Sequence, residues 1–558
     1  MKNIIKAIAA VVCLVSFATG CIKEIDPMTN SVTAAQAAAA PGAYDNFVTA
    51  ITNSLTGSFT YNGNDDTTPW DFGYPSFYLQ RDVMGNDMVC ETSGSEWYTT
   101  WYACGTGLGP DYAVCQLPWT YYYKWIKNCN NVISLYNVDP TDDKKAGAGI
   151  AYAMRAMFFM DMARMFAEKT YGVDKDAETV PIITESTELD ALSSNPRATN
   201  ADMWAFIISD LDTAEELLAG YKRADKYVPD QSVVYGLKAR AYLTMEDWAN
   251  AQKYAKLAQA GYTMMDEAQY RDQKTGFNTP NDAWMFGMTF KSDDKNITLN
   301  DADSCWGSQM IIEVSESGCG YSANYVGPKR IDYHLFTTIP DTDYRKKCWV
   351  DFKLDDLGSE EEIIEALGEY SDAPEGLFET GYTVAYTKGY VGGMPVKFRP
   401  KDGEHADQYK AFTVAVPMMR VEEMYLIEAE AAGMQNEAQG IALLEAFGKK
   451  KDPSYVYGSH GDSYYAKKAN KFQLECWWQR RVELWGEGFA TFDIKRYNAG
   501  VIRNYAGTNH PEGNRWNSDT TPQWMTLCIV RTETLYNSAC TQNPTPVKPA
   551  ADSDEFVW

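Results

Sequence analysis

Tyr235 to Gln259 reads YGLKARAYLTMEDWANAQKYAKLAQ. Apolar and small residues recur through it at helical spacing, and the polar pair Glu246-Asp247 interrupts the run, so the stretch predicts two helices joined by a tight turn. Ala241, Tyr242, Trp248, Ala251, Tyr254 and Ala258 hold the contact positions, and the small side chains of Ala251 and Ala258 let the paired helices approach closely. A helical pair of this size cannot bury its apolar face alone and needs neighbours of the same kind.

Such neighbours lie on both sides. GIAYAMRAMFFMDMARMFA, Gly149 to Ala167, carries Ala151, Met154, Phe158, Met162 and Met165 on one stripe, with apolar residues around most of the remaining circumference. A helix of that composition belongs inside a bundle. Thr199-Asn200-Ala201-Asp202 predicts a capping box opening a helix that buries Trp204, Ile207, Leu211, Ala214 and Leu218 and keeps Asp210, Asp212, Glu215 and Glu216 wet. Downstream, MMRVEEMYLIEAEAAGM from Met418 to Met434 and the following EAQGIALLEAF predict a further pair. The spacing of the opening pair resembles a tetratricopeptide repeat. The expected fold is all-α, a tetratricopeptide-like helical repeat scaffold (about residues 41–278 and 417–558) with loop-rich insertions containing a few short strands. The main insertion, about 279–416, is rich in Gly, Asp and Tyr and has one acidic helical stretch near Glu360. The segment from Gly57 to Trp119 has the same texture. Function is expected on these loop-rich regions, and residues 41–558 are expected to form a single domain.

The chain has 558 residues and a formal net charge of -26, which opposes binding to nucleic acid or to an anionic membrane surface. Its 16 Trp, 37 Tyr and 22 Phe are a surplus that needs a use. Lys2 and Lys6, the apolar run Ala7 to Phe17 and the small residues Ala18-Thr19-Gly20 before Cys21 predict an export signal over 1–20. Small residues ending in Cys resemble the lipobox of bacterial lipoproteins, so Cys21 is the expected lipidation site and 21–40 the tether; Ala18 stands where Leu is usual. No later segment reaches the roughly 18 apolar residues of a membrane span. Export permits disulfides, and Cys305 with Cys319 is the first pair to test. No metal site is read from the sequence, because CxxC spacing and cysteines close to histidine are absent. Asp301-Ala302-Asp303-Ser304-Cys305 reads as an ordinary turn, since Cys occupies the third ligand position of a calcium loop and Ile312 the twelfth. No cofactor is expected; a structural calcium elsewhere, for instance near Asn64-Asp65-Asp66, is left open.

Several stretches, in order, resemble the SusD/RagB family of outer-membrane nutrient-binding lipoproteins. They are Cys21, then Ala151 to Phe166 with Tyr171-Gly172 and Val180-Pro181-Ile182, then Asn195-Pro196-Arg197-Ala198-Thr199, then the helical pair. The most specific are PMMRVEEMYLIEAEA, Pro417 to Ala431, and RRVELWGEG, Arg480 to Gly488, followed by Asp493 and Arg496-Tyr497. The context of Asn543-Pro544 resembles the family's usual ending. Ala490 stands where the family commonly has Arg, and Gln479 where it commonly has Glu. The resemblance implies a surface-exposed, SusD-like carbohydrate-binding lipoprotein at the cell outer membrane. It would capture starch or another polysaccharide for nutrient uptake and deliver oligosaccharides to a SusC-like TonB-dependent transporter.

A sugar ring presents a face of C–H groups ringed by hydroxyls, so its binder needs a flat aromatic platform with hydrogen-bonding neighbours. The loop-rich segments offer Trp70, Tyr74, Arg81, Asn86, Trp97, Tyr98 and Trp101, and in the main insertion Trp284, Trp306 and Tyr321, with Asn324 and Tyr325 nearby. The competing expectation for any one of them is that it covers the helical frame; Trp477, Trp478 and Trp485, inside a scaffold motif, are expected in the core. No HExxH, GxSxG or GxxxxGK[ST] pattern is present, so no enzyme activity is expected. A peptide-binding protein of the same family, or a glycoside hydrolase with paired carboxylates, is the alternative.

Overall fold

The computed structural model describes residues 42–58, 68–90, 98–104, 106–314, 320, 327–382, 389–461, 464, 466–547, 549–550 and 553–558. In chain order the main elements are α1 (Tyr74–Val83), β1 (Met88–Val89), α2 (Ala113–Val138), α3 (Lys145–Phe166), α4 (Asn200–Leu217), α5 (Gln231–Met245) and α6 (Trp248–Ala258). There follow β2 (Trp284–Thr289), β3 (Arg330–Ile331), α7 (Glu360–Leu367), α8 (Pro374–Tyr382), β4 (Ala415–Arg420), α9 (Val421–Gln435), α10 (Glu437–Lys451), α11 (Lys471–Glu483) and α12 (Ala490–Tyr497). The fold is all-α with short antiparallel strand pairs, as expected. Residues 47–558 form one compact unit.

The local chemistry sets the helix ends. The Asp230 carboxylate accepts from the Ser232 and Val233 amides and opens α5; Glu246 closes it in the left-handed conformation; the Asp247 carboxylate accepts from the Asn250 amide and opens α6. The turn falls where the polar pair predicts it. Ala251, Ala255 and Ala258 are fully buried, and Tyr242 stacks on Tyr254 at 5.6 Å. At the start of α4 the Thr199 hydroxyl oxygen accepts from the Asp202 amide at 3.1 Å, one half of the expected box. The other half is diverted, because the Asp202 carboxylate takes the Thr199 hydroxyl proton.

α3 packs between α2 and α4, α5 between α4 and α6, and α9 against α6, α10 and α11. Helix α3 is buried nearly all round, as its composition requires, so its two internal charges must be answered inside the protein. Arg155 makes a bidentate pair with Asp210 on α4, both contacts at 2.8 Å, and reaches Glu185 at 2.6 Å and Asn130 on α2 at 2.8 Å. Gly433 and Gly440 bring α9 and α10 together: a Cβ on Gly440 would stand 2.3 Å from the Gly433 Cα.

The motif PMMR is not helical. Residues 415–420 are strand β4, and α9 starts only after Arg420, whose backbone is extended. Antiparallel pairing with β2 takes these residues first, with Trp284 opposite Arg420 and Thr289 opposite Ala415. This pair also closes the main insertion at its base, since β2 begins it and β4 ends it. A second pair, β1 with β3, matches Met88 to Ile331 and Val89 to Arg330 and joins the two loop-rich regions. The insertion has a core of its own, in which Ile363 and Leu367 of α7 and Leu377 and Phe378 of α8 meet Ile312, Val350, Val391, Met394 and Val396. Three glutamates in the first turn of α7 complement its dipole, and the Ser359 hydroxyl caps it.

The two most specific motifs are halves of one buried ion network. Arg420 contacts Glu422 at 3.0 Å, Glu483 at 2.9 Å and Glu487 at 2.8 Å. Lys397 binds Glu487 at 2.7 Å, Arg345 binds Asp343 at 2.7 Å and Glu483 at 3.2 Å, and Lys451 lies 3.7 and 3.8 Å from Glu422 and Glu483. Four cations thus meet four carboxylates away from water. Burial alone would raise the Glu483 carboxyl, but Lys451, Arg420, Arg345 and Lys397 overcome it and hold Glu483 well below the usual range. Gln479 accepts from Arg345 at 2.8 Å without adding a fifth negative charge. Trp477, Trp478 and Trp485 are buried beside this network.

Of the described cysteines, Cys104, Cys115, Cys129, Cys305, Cys348, Cys476, Cys528 and Cys540 are buried free thiols, and Cys90 is buried as well. Cys305 donates to the Ala302 carbonyl at 3.1 Å. Cys319 lies outside the described residues, as do Cys21 and the signal and tether before residue 42. No described helix is long and apolar enough to cross a membrane.

Candidate functional site

Most residues expected on a sugar platform are committed to the interior. Tyr74 is 3% exposed and donates to the Asp161 carboxylate at 2.6 Å; Arg81 donates to the same carboxylate at 3.2 Å and covers the Phe492 ring at 4.7 Å. Asn86 is buried, with its side-chain oxygen taken by the Tyr464 hydroxyl and its amide by Asp87 at 2.9 Å. Trp306 is packed edge-on to Phe398 at 5.1 Å and to Tyr78 at 6.1 Å. Trp284 is fully buried in β2, and Trp70, Tyr98 and Trp101 are buried on the loop-rich side, where Lys329 stands 5.0 Å over the Tyr98 ring. All eight of these expected site residues are buried in this structure, where they pack against the frame and present little open surface. The physical reason is that the Gly- and Asp-rich segments wrap back onto the frame and need aromatic area to bury there. Trp97 and Tyr321 lie outside the described residues, as do Asn324 and Tyr325.

Half-exposed aromatics gather elsewhere. Tyr333, Phe352 and Tyr390 line an open cleft of about 400 Å³ together with Arg330, Asp355, Thr508, Asn509, His510 and Arg515. A second hollow of about 410 Å³ shares Tyr333, Phe352 and Asp355 and continues over Phe336, Lys346, Asp351 and Lys353. Each volume lies within the range of pockets that take small organic ligands. Tyr333 and Phe352 meet edge to face at 5.0 Å, while Tyr390 is 51% exposed and lies 5.6 Å from the Arg330 guanidinium.

Three distant segments build this cleft. Pairing of β3 with β1 fixes Arg330 and Ile331, and Asn509 then holds the chain leading to Tyr333: its Nδ2 donates to the Ile331 carbonyl at 3.0 Å and its Oδ1 accepts from the Tyr333 amide at 2.9 Å. Asp355 Oδ1 accepts from the Val391 and Gly392 amides at 2.8 and 3.0 Å, which fixes the turn beside Tyr390. Its Oδ2 has no hydrogen-bond partner among the described residues. Burial pushes the Asp355 carboxyl up from its ordinary value, against the pull of those two amides and of Arg330. Arg515 donates through Nε to the His510 carbonyl at 2.7 Å, leaving its two amino groups without a partner among the described residues.

Behind the cleft, His510 is fully buried. Its Nε2 faces the Asn86 carbonyl at 3.1 Å, which can only accept, so Nε2 carries the proton and Nδ1 accepts from the Tyr102 hydroxyl at 2.6 Å. Burial lowers its pKa, in agreement with a neutral ring. The Asp332 carboxylate beside it, at 3.3 Å, would be raised by burial but is held low by His510, the Tyr505 hydroxyl and the Leu335 amide. His510 is therefore a wall that positions the cleft rather than a free acid or base.

The sequence reading missed Tyr333, Phe352, Tyr390, Asp355 and Arg515. Tyr390 had the best available signal, an aromatic flanked by Gly389 and the pair Gly392-Gly393 in the insertion. Residues 507–515 had none, because nothing local connects them to a segment over 170 positions earlier. A third hollow, about 450 Å³ between α2 and residues 183–185, is lined by Trp119, Tyr123, Asn130 and Glu185. Three of its polar groups are already engaged: Tyr123 by the Pro181 carbonyl, Asn130 by Ile183 and Arg155, Glu185 by Arg155.

Residues 80–243 match the family model SusD-like_3, described as starch-binding associating with outer membrane. About nine-tenths of the chain is similar in fold to solved structures. A SusD-like carbohydrate binding protein from Bacteroides vulgatus is 22% identical, with a TM-score of 0.69 over 89% of this chain and 97% of the other. A SusD superfamily protein from Bacteroides thetaiotaomicron is 18% identical, with a TM-score of 0.65 over 90% and 99%. A laminarin binding SusD-like protein is 16% identical, with a TM-score of 0.60 over 90% and 98%. No curated protein sequence matches the chain. Residues 80–243 thus carry the SusD-like_3 pattern, and about nine-tenths of the chain has the fold of these solved SusD-like structures.

Proposed function

We propose that this protein captures oligosaccharides in the cleft formed by Tyr333, Phe352 and Tyr390 and acts by binding alone. The observation that carries the reading is the pairing of half-exposed rings with unused polar atoms, Asp355 Oδ2 and the Arg515 amino groups, in one open groove. Rings can lie against the C–H faces of sugars while the carboxylate accepts from hydroxyls and the guanidinium donates to them. The two hollows sharing Tyr333, Phe352 and Asp355 suit a chain of sugar units better than a single one. In this reading Cys21 carries the lipid that holds the protein at the outer membrane, facing outward, and a SusC-like TonB-dependent transporter receives the oligosaccharide.

Isothermal titration of the mature, unlipidated chain against a panel of glucan oligosaccharides tests the proposal, with laminarin fragments first because a protein of this fold is described as binding laminarin. Saturable binding to at least one glycan, absent in a Tyr390→Ala/Phe352→Ala double variant, is the expected outcome. Binding to a peptide pool but to no glycan would replace the reading with peptide capture. Release of reducing ends at enzyme-like rates would replace it with hydrolysis.

A further inference from the structure

The main insertion holds a group of side chains that the cleft does not use. Glu313, Asp372 and His405 each direct one ligand atom into a space in which all three atoms lie within 4.8 Å of one another. We propose that they bind a divalent cation of the zinc type, which fastens three segments of the insertion together.

The imidazole is already oriented for this. His405 Nδ1 lies 3.2 Å from the Glu313 backbone carbonyl, an acceptor, so Nδ1 carries a proton. In the neutral ring the Nε2 lone pair then points outward, as in a metal-ligating histidine whose other nitrogen is held by a carbonyl. That Nε2 stands 2.9 Å from Asp372 Oδ1. Two acceptors that close repel unless a proton or a cation lies against both; a cation would replace the proton shared by Nε2 and Oδ1, with the two ligand atoms moving apart to about 3.3 Å, the edge of a tetrahedral shell with bonds of about 2.0–2.1 Å.

Glu313 supplies the independent observation. It is 1% exposed; its Oε1 is taken by Arg399 at 2.7 Å and by the Ser371 hydroxyl, while its Oε2 is buried with no hydrogen-bond partner among the described residues. A buried carboxylate oxygen left unanswered is costly, and a cation at this point answers it. Arg399 neutralises part of the negative charge, so the site keeps room for one divalent ion and not for a cluster. One imidazole nitrogen with carboxylate oxygens favours zinc over calcium, which takes oxygen ligands. Glu313 ends the run after the helix Trp306–Met310, Asp372 precedes α8, and His405 follows the turn Lys401–Gly403, so one ion would cross-link all three.

The test uses the mature chain stripped with chelator and titrated with Zn²⁺ or Ca²⁺, followed by calorimetry and thermal melting. The expected result is uptake of about one Zn²⁺ per chain with a raised Tm. His405→Gln and Asp372→Asn should each weaken Zn²⁺ binding by about tenfold or more. No Zn²⁺ uptake, or uptake equal in the wild type and both variants, overturns the proposal. Calcium bound in preference to zinc and unaffected by His405→Gln overturns it too. Should a variant lose its circular dichroism spectrum, protection of His405 from diethylpyrocarbonate by Zn²⁺ in the wild type, read by mass spectrometry, supports the site, and unchanged labelling overturns it.

Discussion

Asp161 and Asp355 are both carboxylates set among aromatic rings, and the protein treats them in opposite ways. Asp161, in the last third of α3, accepts from Tyr74, Tyr122 and Arg81 on Oδ2 and from Arg164 on Oδ1, so both of its oxygens are engaged inside the chain. Burial would raise its pKa, but the two arginines and two hydroxyls hold it below the ordinary value. Asp355 accepts from two backbone amides on one oxygen and leaves the other facing an open cleft. The same residue types therefore build a frame where they are saturated and a candidate site where they are not. Saturation, more than aromatic count, separates the two regions.

The largest effect should come from breaking the frame where its charges are densest. Glu483→Gln leaves Arg420, Arg345 and Lys451 facing a neutral amide inside the protein, and removal of one partner from a buried ion network costs about 3–5 kcal/mol. Urea denaturation should show that loss as a lower midpoint with an unchanged slope. A midpoint shifted by less than one-third of this would mean that water enters the network and the two regions differ less than the burial implies.

Acid should act on the same side of the comparison. Glu483, Glu487, Asp493 and Asp161 all titrate below their ordinary values in the folded protein, because their cation partners outweigh burial. Groups of this kind stabilise fully above the unfolded carboxylate pKa of about 4, and that stabilisation is lost as pH falls through the lower folded values. The thermal midpoint should therefore fall steeply below about pH 4. Asp355 is shifted the other way and so does not contribute to that fall.

Tyr74→Phe separates the regions by a smaller step. It removes one hydroxyl from a charged acceptor, worth ~1.5–3 kcal/mol, and should leave glycan affinity untouched. If affinity falls while stability holds, Tyr74 belongs to a ligand surface after all and the division between frame and site is wrong at that residue.

How far the sequence could show this division depends on the range of the signal. The all-round apolar helix α3, the Glu246-Asp247 turn and the helix of the motif containing Glu483 are local patterns, and each is where it is expected. The strand at Ala415–Arg420 was not legible, because its partner lies 130 positions earlier and helical spacing runs through it. The burial of eight expected site residues has one cause: Trp, Tyr and Arg look alike in sequence whether a loop folds over them or leaves them open. Tyr333, Arg515 and Asn509 become neighbours only when β1 pairs with β3, and no short pattern records that. Composition points to the main insertion, which supplies Tyr333, Phe352 and Tyr390 to the cleft, but not to the residues within it.

Inside the cleft the comparison can be sharpened by cutting one ring and one charge. Tyr390→Ala removes the most exposed ring of the set and should weaken glycan binding about tenfold, or ~1.4 kcal/mol, with the melting temperature unchanged. Titration calorimetry on a glycan first identified with the wild type measures it. A Trp306→Ala control should do the reverse, lowering stability by about 3–5 kcal/mol through the cavity it opens in the packing against Tyr78 and Phe398.

Asp355→Asn is the finest cut and the most informative. Oδ1 is replaced by an amide oxygen that still accepts from the Val391 and Gly392 amides, so the turn carrying Tyr390 keeps its shape. Oδ2 becomes an amino group, which donates where the carboxylate accepted, and a sugar hydroxyl can turn its lone pair to meet it. Affinity should fall by only about threefold, or ~0.6 kcal/mol, if the carboxylate contributes one ordinary hydrogen bond and no charge-specific contact. A loss of a hundredfold would mean that the ligand presents a cation or several donors to Asp355, and the class of ligand would then have to change from a neutral glycan to a basic one.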